Sequence, residues 1–343
     1  MKFSKFIFTI DSHTMGEPTR VVIAGIPPVP GNSMMEKKIY LEKELDYIRK
    51  LLMLEPRGHS GMFGSTLTQP VNPSADLGVV FMDTKGYLNM CGHGVIGTVT
   101  VALEMGFISM KKPITKVILD TPAGLVKTQA KIFHGRVEEV TFQGVPSFVF
   151  KADHKVLLPE VGEISVDIAF GGNFFGVVSA KDLGIKVEKK NISRLIYLGI
   201  RLREELNKSI KVIHPENKCI NSIDLIEIYD SPTDYDANLK NCVIFGKGQV
   251  DRSPCGTGTC AKLATLHRKG KIKINEEFVY ESILGTKFKG CIDSETKVGD
   301  FPAIIPKITG SSYITGLHQF VVDENDPLKY GFTLKKGGDI RWF

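Results

Sequence analysis

The sequence has few cysteines and no long apolar run, and each shortage excludes a class of protein. Six cysteines among 343 residues are too few for the disulfide framework of a small secreted domain. No Cys-x-x-Cys pair accompanies them, so a zinc site is not indicated. No stretch of about 18 apolar residues occurs, and the apolar run near the N-terminus ends at Asp11, too early for a signal peptide. We therefore expect reduced thiols, no membrane partner and a cytoplasmic protein.

Charge of one sign is nowhere concentrated. Lysine and arginine together number 44 against 38 acidic residues, for a formal net charge of +6. The lysines are spread along the chain instead of forming a basic block, and no zinc-finger, RNA-recognition or helix-turn-helix pattern occurs. No nucleic-acid partner is predicted, and the mild positive charge suits a small carboxylate equally well.

One motif that the chain does contain occurs twice. Residues 90–97 read MCGHGVIG and residues 251–260 read DRSPCGTGTC, so Cys91 and Cys255 each precede a Gly-x-Gly turn that opens an apolar helix. A phenylalanine stands ten residues before each cysteine and a glycine fifteen residues after it, at Phe81, Phe245, Gly106 and Gly270. A glycine at that distance is typical of a helix C-terminus. The matched spacing predicts a duplicated unit.

The elements around the two motifs follow the same order, which predicts two domains in a chain of this length. Apolar residues at helical spacing predict one helix between residues 35 and 52 and another between residues 195 and 206. The helices that follow the cysteines are apolar on most faces, so we expect strands to enclose them. We place the first domain at residues 1–145 and the second at 146–316. The tail, 317–343, has no counterpart in the order of the first half and is assigned back to the first domain.

A cysteine at a helix N-terminus is placed to ionise easily. The unpaired amides and the helix dipole stabilise a thiolate, so we expect lowered pKa values for Cys91 and Cys255. The following glycines leave backbone amides free to bind a carboxylate or a phosphate. If the two halves face each other, one thiolate can remove a proton from a carbon while the opposing thiol returns one to the other face. The pattern thus predicts inversion of a stereocentre.

Other interpretations of the same residues stay open. A lone cysteine is most often inert core packing. We give that interpretation to the other four, Cys219, Cys242, Cys260 and Cys291. A Cys-Gly-x-Gly turn could hold phosphate, although neither copy has the Gly-Lys-Ser/Thr of a P-loop. A ligand-binding protein without catalysis, or a thiol-redox protein that cycles Cys91 and Cys255 through a disulfide, would also carry these motifs.

The chain resembles the proline racemase family in the segments DSHTMGEPTRVV, EPRGHSGMFG, MCGHG, AFGGNFF, DRSPCGTGT and VYESILG. The resemblance extends over nearly the whole chain. It implies a diaminopimelate-epimerase-like fold of the α+β (α/β) class. In this fold two pseudo-symmetric domains each wrap a mostly antiparallel sheet or barrel around a central helix, and the active site lies in the cleft between the domains. It also implies a homodimer and no pyridoxal phosphate, metal or nucleotide.

The resemblance further implies a role for each matching residue. Cys91 and Cys255 would be the two acid–base catalysts, and Asp251 would contact the ring nitrogen of the substrate. The positions that would bind the substrate carboxylate are Gly92, His93, Gly256 and Thr257. The structural alternatives are a helix-start role for His93 and pairing of Asp251 with Arg252.

The expected pocket wall favours proline as the substrate. Phe63, Phe81 and Phe245 stand where family members that act on the unsubstituted ring carry aromatics, and Leu225 would complete the apolar wall. An epimerase of 4-hydroxyproline needs polar groups there to receive the ring hydroxyl. Interconversion of L- and D-proline is therefore the predicted reaction, with 4-hydroxyproline 2-epimerase as the alternative. Family dehydratases carry threonine where Cys255 stands, which argues against lyase chemistry.

Overall fold

A computed structural model of the chain describes residues 3–333 and divides into two compact units. Of the described residues, the first unit comprises 3–142 and 311–333, and the second comprises Gln143–Gly310. No helix within residues 3–333 combines the length and the apolar character needed to cross a membrane. The domain division drawn from the sequence stays a prediction.

Strands dominate both units. They are β1 (Phe3–Thr14), β2 (Glu17–Ala24), β3 (Phe63–Thr68), β4 (Leu77–Asp83), β5 (Tyr87–Leu88), β6 (Ile114–Thr121), β7 (Gly124–Phe133), β8 (Arg136–Gln143), β9 (Ser147–Leu158), β10 (Gly162–Phe170), β11 (Phe174–Ser179), β12 (Ile223–Asp230), β13 (Leu239–Phe245), β14 (Gln249–Asp251), β15 (Phe278–Glu281), β16 (Lys287–Val298), β17 (Phe301–Gly310) and β18 (Ser312–Asp323). The α-helices are α1 (Met34–Glu44), α2 (Asp46–Met53), α3 (Gly92–Glu104), α4 (Ile192–Ser209) and α5 (Gly256–Arg268).

In the first unit, hydrogen bonding orders the strands β18–β1–β2–β3–β4–β6–β7–β8, with β5 also paired to β4. The β2–β3 and β4–β6 pairs are parallel and the others are antiparallel. The C-terminal strand β18 pairs with β1 from Phe3 to Thr14. Residues 317–323 of the tail lie in β18, and its residues 334–343 lie outside the described residues.

The second unit repeats these pairings strand by strand. The order is β9–β10–β11–β12–β13–β15–β16–β17, with parallel pairs at β11–β12 and β13–β15, and β14 also pairs with β13. Pairing of β17 with β9 closes this sheet into a barrel. Strands β10 to β17 correspond to β1 to β8, which confirms the duplicated unit. Strand β9 takes the place of β18, so the tail does have a counterpart, at the start of the second half.

A buried helix lies inside the sheet of each unit, as the apolar sequences predicted. Every residue of α3 from Gly92 to Leu103 is buried, and the helix packs against β1, β2, β3 and β18. Helix α5 packs against β9, β10, β16 and β17 in the same way. Both helices end before a glycine of positive φ, Gly106 at +75° and Gly270 at +67°. The predicted glycine-terminated helices are thus confirmed.

The outer helices differ from prediction in one place. A single helix was expected between residues 35 and 52, but the backbone breaks at Leu45 (φ −125°, ψ 15°) to give α1 and α2. Leu45 is buried in the same core cluster as Leu41 and Ile48. Apolar spacing alone could not reveal the break, because both helices present the same buried stripe. The leucine stripe of α4 faces the core as predicted.

Candidate active site

The first half of the site forms around Cys91, the N-cap residue of α3. Its backbone is extended (φ −153°, ψ 126°) and its side chain makes no capping hydrogen bond to the helix. Instead, Sγ of the half-buried thiol lies 3.1 Å from Nδ1 of His93. The backbone carbonyl of His93 accepts a hydrogen bond from Oγ1 of Thr14 at 2.9 Å. The imidazole is therefore held where it can share a proton with the thiol.

Two aromatic rings cover the first turn of α3. The buried His93 ring packs edge-on against Phe63 with 4.3 Å between centroids, and the Phe63 and Phe81 centroids are 6.1 Å apart. A Cβ placed on Gly94 would come within 2.9 Å of both phenylalanine rings. The glycine after the motif is thus required for close approach of the helix start to the aromatics. The structure brings together all five residues predicted in this half, since Gly92 opens the helix.

The second half forms around Cys255, the N-cap residue of α5. Unlike Cys91, it has a left-handed backbone (φ 64°, ψ 109°), which costs a non-glycine residue about 1–3 kcal/mol. This conformation lets its Sγ accept a hydrogen bond from the Gly258 N–H at 3.3 Å. Oγ1 of Thr257 lies 3.7 Å from the same sulfur, and Gly256 is the first helical residue.

Asp251 reaches this cysteine through Ser253, which the sequence analysis missed. Both the N–H and the hydroxyl of Ser253 donate to Oδ1 of Asp251, at 2.9 and 2.7 Å. The Cys255 N–H donates in turn to Oγ of Ser253 at 3.1 Å. Burial raises the pKa of Asp251 above its ordinary value, against hydrogen bonds from Ser253 and from the Cys255 thiol. These hydrogen bonds hold the Asp251 carboxyl beside the thiol. Ser253 lies between Asp251 and Cys255 in the sequence, and this position was the signal that could have indicated the link.

The predicted lowering of the thiol pKa is wrong for Cys255. Burial raises the pKa of this thiol well above its ordinary value, and the negative charge of Asp251 adds to the rise. Hydrogen bonds from Gly258 and Thr257 oppose the shift without overcoming it. Removal from water therefore outweighs the helix amides on which the expectation rested. The surroundings of Cys255 thus favour the thiol over the thiolate.

The apolar residues predicted beside Cys255 lie on neighbouring strands. Leu225 of β12 and Phe245 of β13 are direct cross-strand partners. Leu225 packs against the core cluster that contains Cys255 and Ala169. Phe245 is half-buried at the end of its strand, and its pairing with Leu225 places it next to this cluster.

Two charged residues that the sequence analysis did not single out lie inside the second barrel. Glu227 of β12 is fully buried; Tyr280 donates to its Oε1 at 2.6 Å, whereas its Oε2 has no hydrogen-bond partner among residues 3–333. Lys262 of α5 is 3% exposed, and its ammonium group lies 3.0 Å from the centroid of the Tyr229 ring. An acid between two isoleucines in β12 and a lysine in the buried helix α5 were the signals available.

Comparison with known proteins identifies the relatives of this chain. A family profile described as proline racemase matches residues 9–333. The proline racemase of Clostridioides difficile is 56% identical over 335 residues, covering 98% of this chain and all of that protein. A crystal structure of a probable proline racemase from Agrobacterium radiobacter K84, with bound carbonate, is 37% identical with a TM-score of 0.87 and 96% coverage of both chains. A hydroxyproline epimerase from Agrobacterium vitis, with bound trans-4-hydroxy-L-proline, is 35% identical with a TM-score of 0.88 and 98% coverage of both chains.

Proposed function

The chain belongs to the proline racemase family, and on that premise we propose that it interconverts L- and D-proline with Cys91 and Cys255 as the two acid–base groups. The observation that carries the proposal is the presence of both cysteines, each at the N-terminus of a buried helix, in a chain so similar to a proline racemase over its full length. The lower identity to the hydroxyproline epimerase favours proline over its hydroxylated form.

In the proposed reaction one sulfur is a thiolate and the other a thiol. The thiolate takes the α-proton from one face of proline, and the electron pair of the broken C–H bond delocalises into the carboxylate. The thiol then protonates the carbon from the opposite face, which inverts the stereocentre and leaves the charge on the second sulfur. The reverse reaction starts from that state, so no external acid or base is consumed.

The helix starts are suited to hold the substrate while charge develops on its carboxylate. The first amides of a helix have no intrahelical acceptor, and those of α3 and α5 belong to Gly92, His93, Gly256 and Thr257. We propose that they donate to the carboxylate and stabilise the carbanion-like transition state. We assign the ring nitrogen to Asp251, whose carboxyl is already held beside Cys255.

Isotope labelling tests this function. Incubating L-proline with the protein in D2O should yield D-proline with deuterium at the α-carbon, whereas the unconverted L-proline stays protiated at early times. This follows because the donated proton comes from a different sulfur than the one that received the substrate proton. Polarimetry and proton NMR follow the two pools. Early deuterium in both pools would contradict two separate groups.

The same assay separates proline from its hydroxylated analogue. With trans-4-hydroxy-L-proline we expect turnover about 5- to 150-fold slower, because burying a hydroxyl against the Phe63 and Phe81 rings without a partner costs about 1–3 kcal/mol. Equal or faster turnover of the analogue would favour the alternative, a 4-hydroxyproline epimerase.

We also propose a homodimer, and a cytoplasmic location that keeps the catalytic thiols reduced. The paired strands β1 and β18 expose Phe6, Phe8 and Leu317 by 45%, 40% and 67%. Their register places these side chains on one face. Apolar side chains grouped in this way are typical of a subunit interface.

Substitution of Leu317 tests the dimer. Leu317→Glu should weaken self-association by about 100-fold in sedimentation velocity, because it buries a charge in the proposed interface. Leu157→Glu is the matched control, since Leu157 is equally exposed, at 66%, but lies on β9. Loss of the dimer in both variants, or in neither, would exclude the β1–β18 face.

A further inference from the structure

A carboxylate lies directly behind the turn that carries the Cys255 thiol. A Cβ placed on Gly258 would be 2.6 Å from Oε2 of Glu227 and 3.2 Å from Sγ of Cys255. The oxygen and the sulfur are therefore no farther apart than the sum of these two distances. The Gly258 N–H already donates to Sγ, and Oε2 is the carboxyl oxygen of Glu227 that has no hydrogen-bond partner in the described part of the chain. A side chain at residue 258 would fill the space between the Glu227 carboxyl and the thiol. Because this residue is a glycine, a charge on Glu227 can act on the thiol across that space.

The groups around Glu227 make its charge sensitive to pH. Burial raises the pKa of Glu227 to about 7, opposed by the charge of Lys262 and by the hydrogen bond from Tyr280. Burial likewise lowers the pKa of Lys262 to about 7, opposed by Glu227 and by Asp167 of β10. The other groups that face this pair are Tyr229, Cys255, Cys260, Lys269 and Lys271. Both members of the pair can change charge near neutrality.

Lys262 also gives the Glu227–Lys262 pair a route for proton exchange with solvent. A cavity of about 260 Å³ at the C-terminal end of α5 is lined by Lys262, Asp167, Tyr229 and Lys269. Lys262 can exchange protons with water in this cavity, whereas Glu227 is fully buried. The pair can therefore respond to the pH of the solution without opening the barrel.

At the matching turn of the first unit, the described atoms nearest the missing Cβ belong to aromatic rings and not to a carboxylate. Gly94 occupies the position of Gly258, three residues after the cysteine, and its missing Cβ faces the rings of Phe81 and Phe63. The two cysteines therefore occupy repeated elements but different electrostatic surroundings. Because the two units otherwise match, this electrostatic difference indicates that the two thiols have different roles.

We propose that Glu227, together with Lys262, is a positioning group that adds to burial and to the charge of Asp251 in keeping the Cys255 thiol protonated, so that Cys255 is the proton donor in the resting protein and Cys91 the acceptor. The inference rests on the proposed racemase function. A negative charge close to a sulfur opposes formation of a thiolate there. Removing that charge lets the thiol ionise at lower pH.

Alkylation tests this proposal without requiring racemisation. In a Cys91→Ser background, the rate of iodoacetamide modification of Cys255 is measured against pH by mass spectrometry, because only the thiolate reacts. Glu227→Gln should lower the pH midpoint, at which the modification rate of Cys255 is half-maximal, by about one unit. Modification at pH 8 should therefore be about tenfold faster. The matched control Tyr280→Phe removes the hydrogen bond to the same carboxyl, which raises the pKa of Glu227, but it keeps the carboxylate charge at pH 9 and should leave the rate there unchanged. An unchanged or raised midpoint in a natively folded Glu227→Gln variant overturns the proposal.

A second measurement uses the native Glu227 and so does not depend on folding of that variant. As the pH rises through about 7, the pair loses positive charge and makes the thiol harder to ionise. The modification rate of Cys255 should therefore rise less than tenfold per pH unit in this range. A slope of tenfold per unit from pH 6 to 9 would show that the pair has no influence. Either result leaves the labelling experiment with proline in D2O as a separate test of the racemase function.

Discussion

Cys91→Ser and Cys255→Ser should each abolish the interconversion of L- and D-proline, with a loss of at least about 1,000-fold. A serine hydroxyl is too weak an acid to exchange the α-proton in place of a thiol near neutral pH, and acid–base groups commonly contribute factors of 10² to 10⁴. Polarimetry from either enantiomer measures the loss. Cys219→Ser is the control, because Cys219 lies outside both motifs and is exposed instead of packed in the core as expected. This variant should keep full activity.

The two serine variants should also differ from each other in D2O. Each retains one sulfur, which can still remove a proton from the enantiomer that faces it and, once the resulting S–H has exchanged with D2O, return a deuteron to the same side. We therefore expect deuterium exchange without inversion, for one enantiomer in Cys91→Ser and for the other in Cys255→Ser. Exchange of the same enantiomer in both variants would contradict a division of labour between two faces. If either cysteine had a purely structural role, the variant that lacks it should show no deuterium exchange with either enantiomer.

Gly171→Ala should destabilise the second unit and disturb the Cys255 site together. Gly171 lies between β10 and β11, and a Cβ on it would fall 2.2 Å from the carbonyl oxygen of Thr257 and 2.5 Å from the backbone nitrogen of Ala261. Backbone atoms cannot move aside as side chains do, so the first turn of α5 must shift. We expect a loss of about 1–3 kcal/mol in the free energy of unfolding, and a fall of about 100-fold in kcat, since displacing a reacting group by 1 Å has effects of that size.

A second glycine provides the control for that substitution. Gly86, in the turn between β4 and β5, has open space around the position of its missing Cβ. Gly86→Ala should leave both the denaturation midpoint and kcat within error of the native protein. If Gly171→Ala behaved like Gly86→Ala, the contact between this loop and the start of α5 would not position the cysteine.

Local sequence was sufficient for much of this molecule. The spacing of Phe81 and Gly106 around Cys91, repeated around Cys255, predicted the duplication and the glycine-terminated helices. These features depend on short-range physics, because helix starts, helix ends and apolar faces are set by residues within a few positions of one another. The helix break at Leu45 was not predicted, since the stripe of apolar residues continues through it.

The electrostatics of the site could not be read in this way. The two cysteines stand in equivalent motifs, yet Cys255 has a left-handed backbone and a raised pKa that the motif did not predict. The carboxyl of Glu227 approaches it from a strand 28 residues earlier in the chain, through the space left by Gly258. Burial and long-range charge contacts depend on which strands close around a helix, and that arrangement exists only once the barrel has formed.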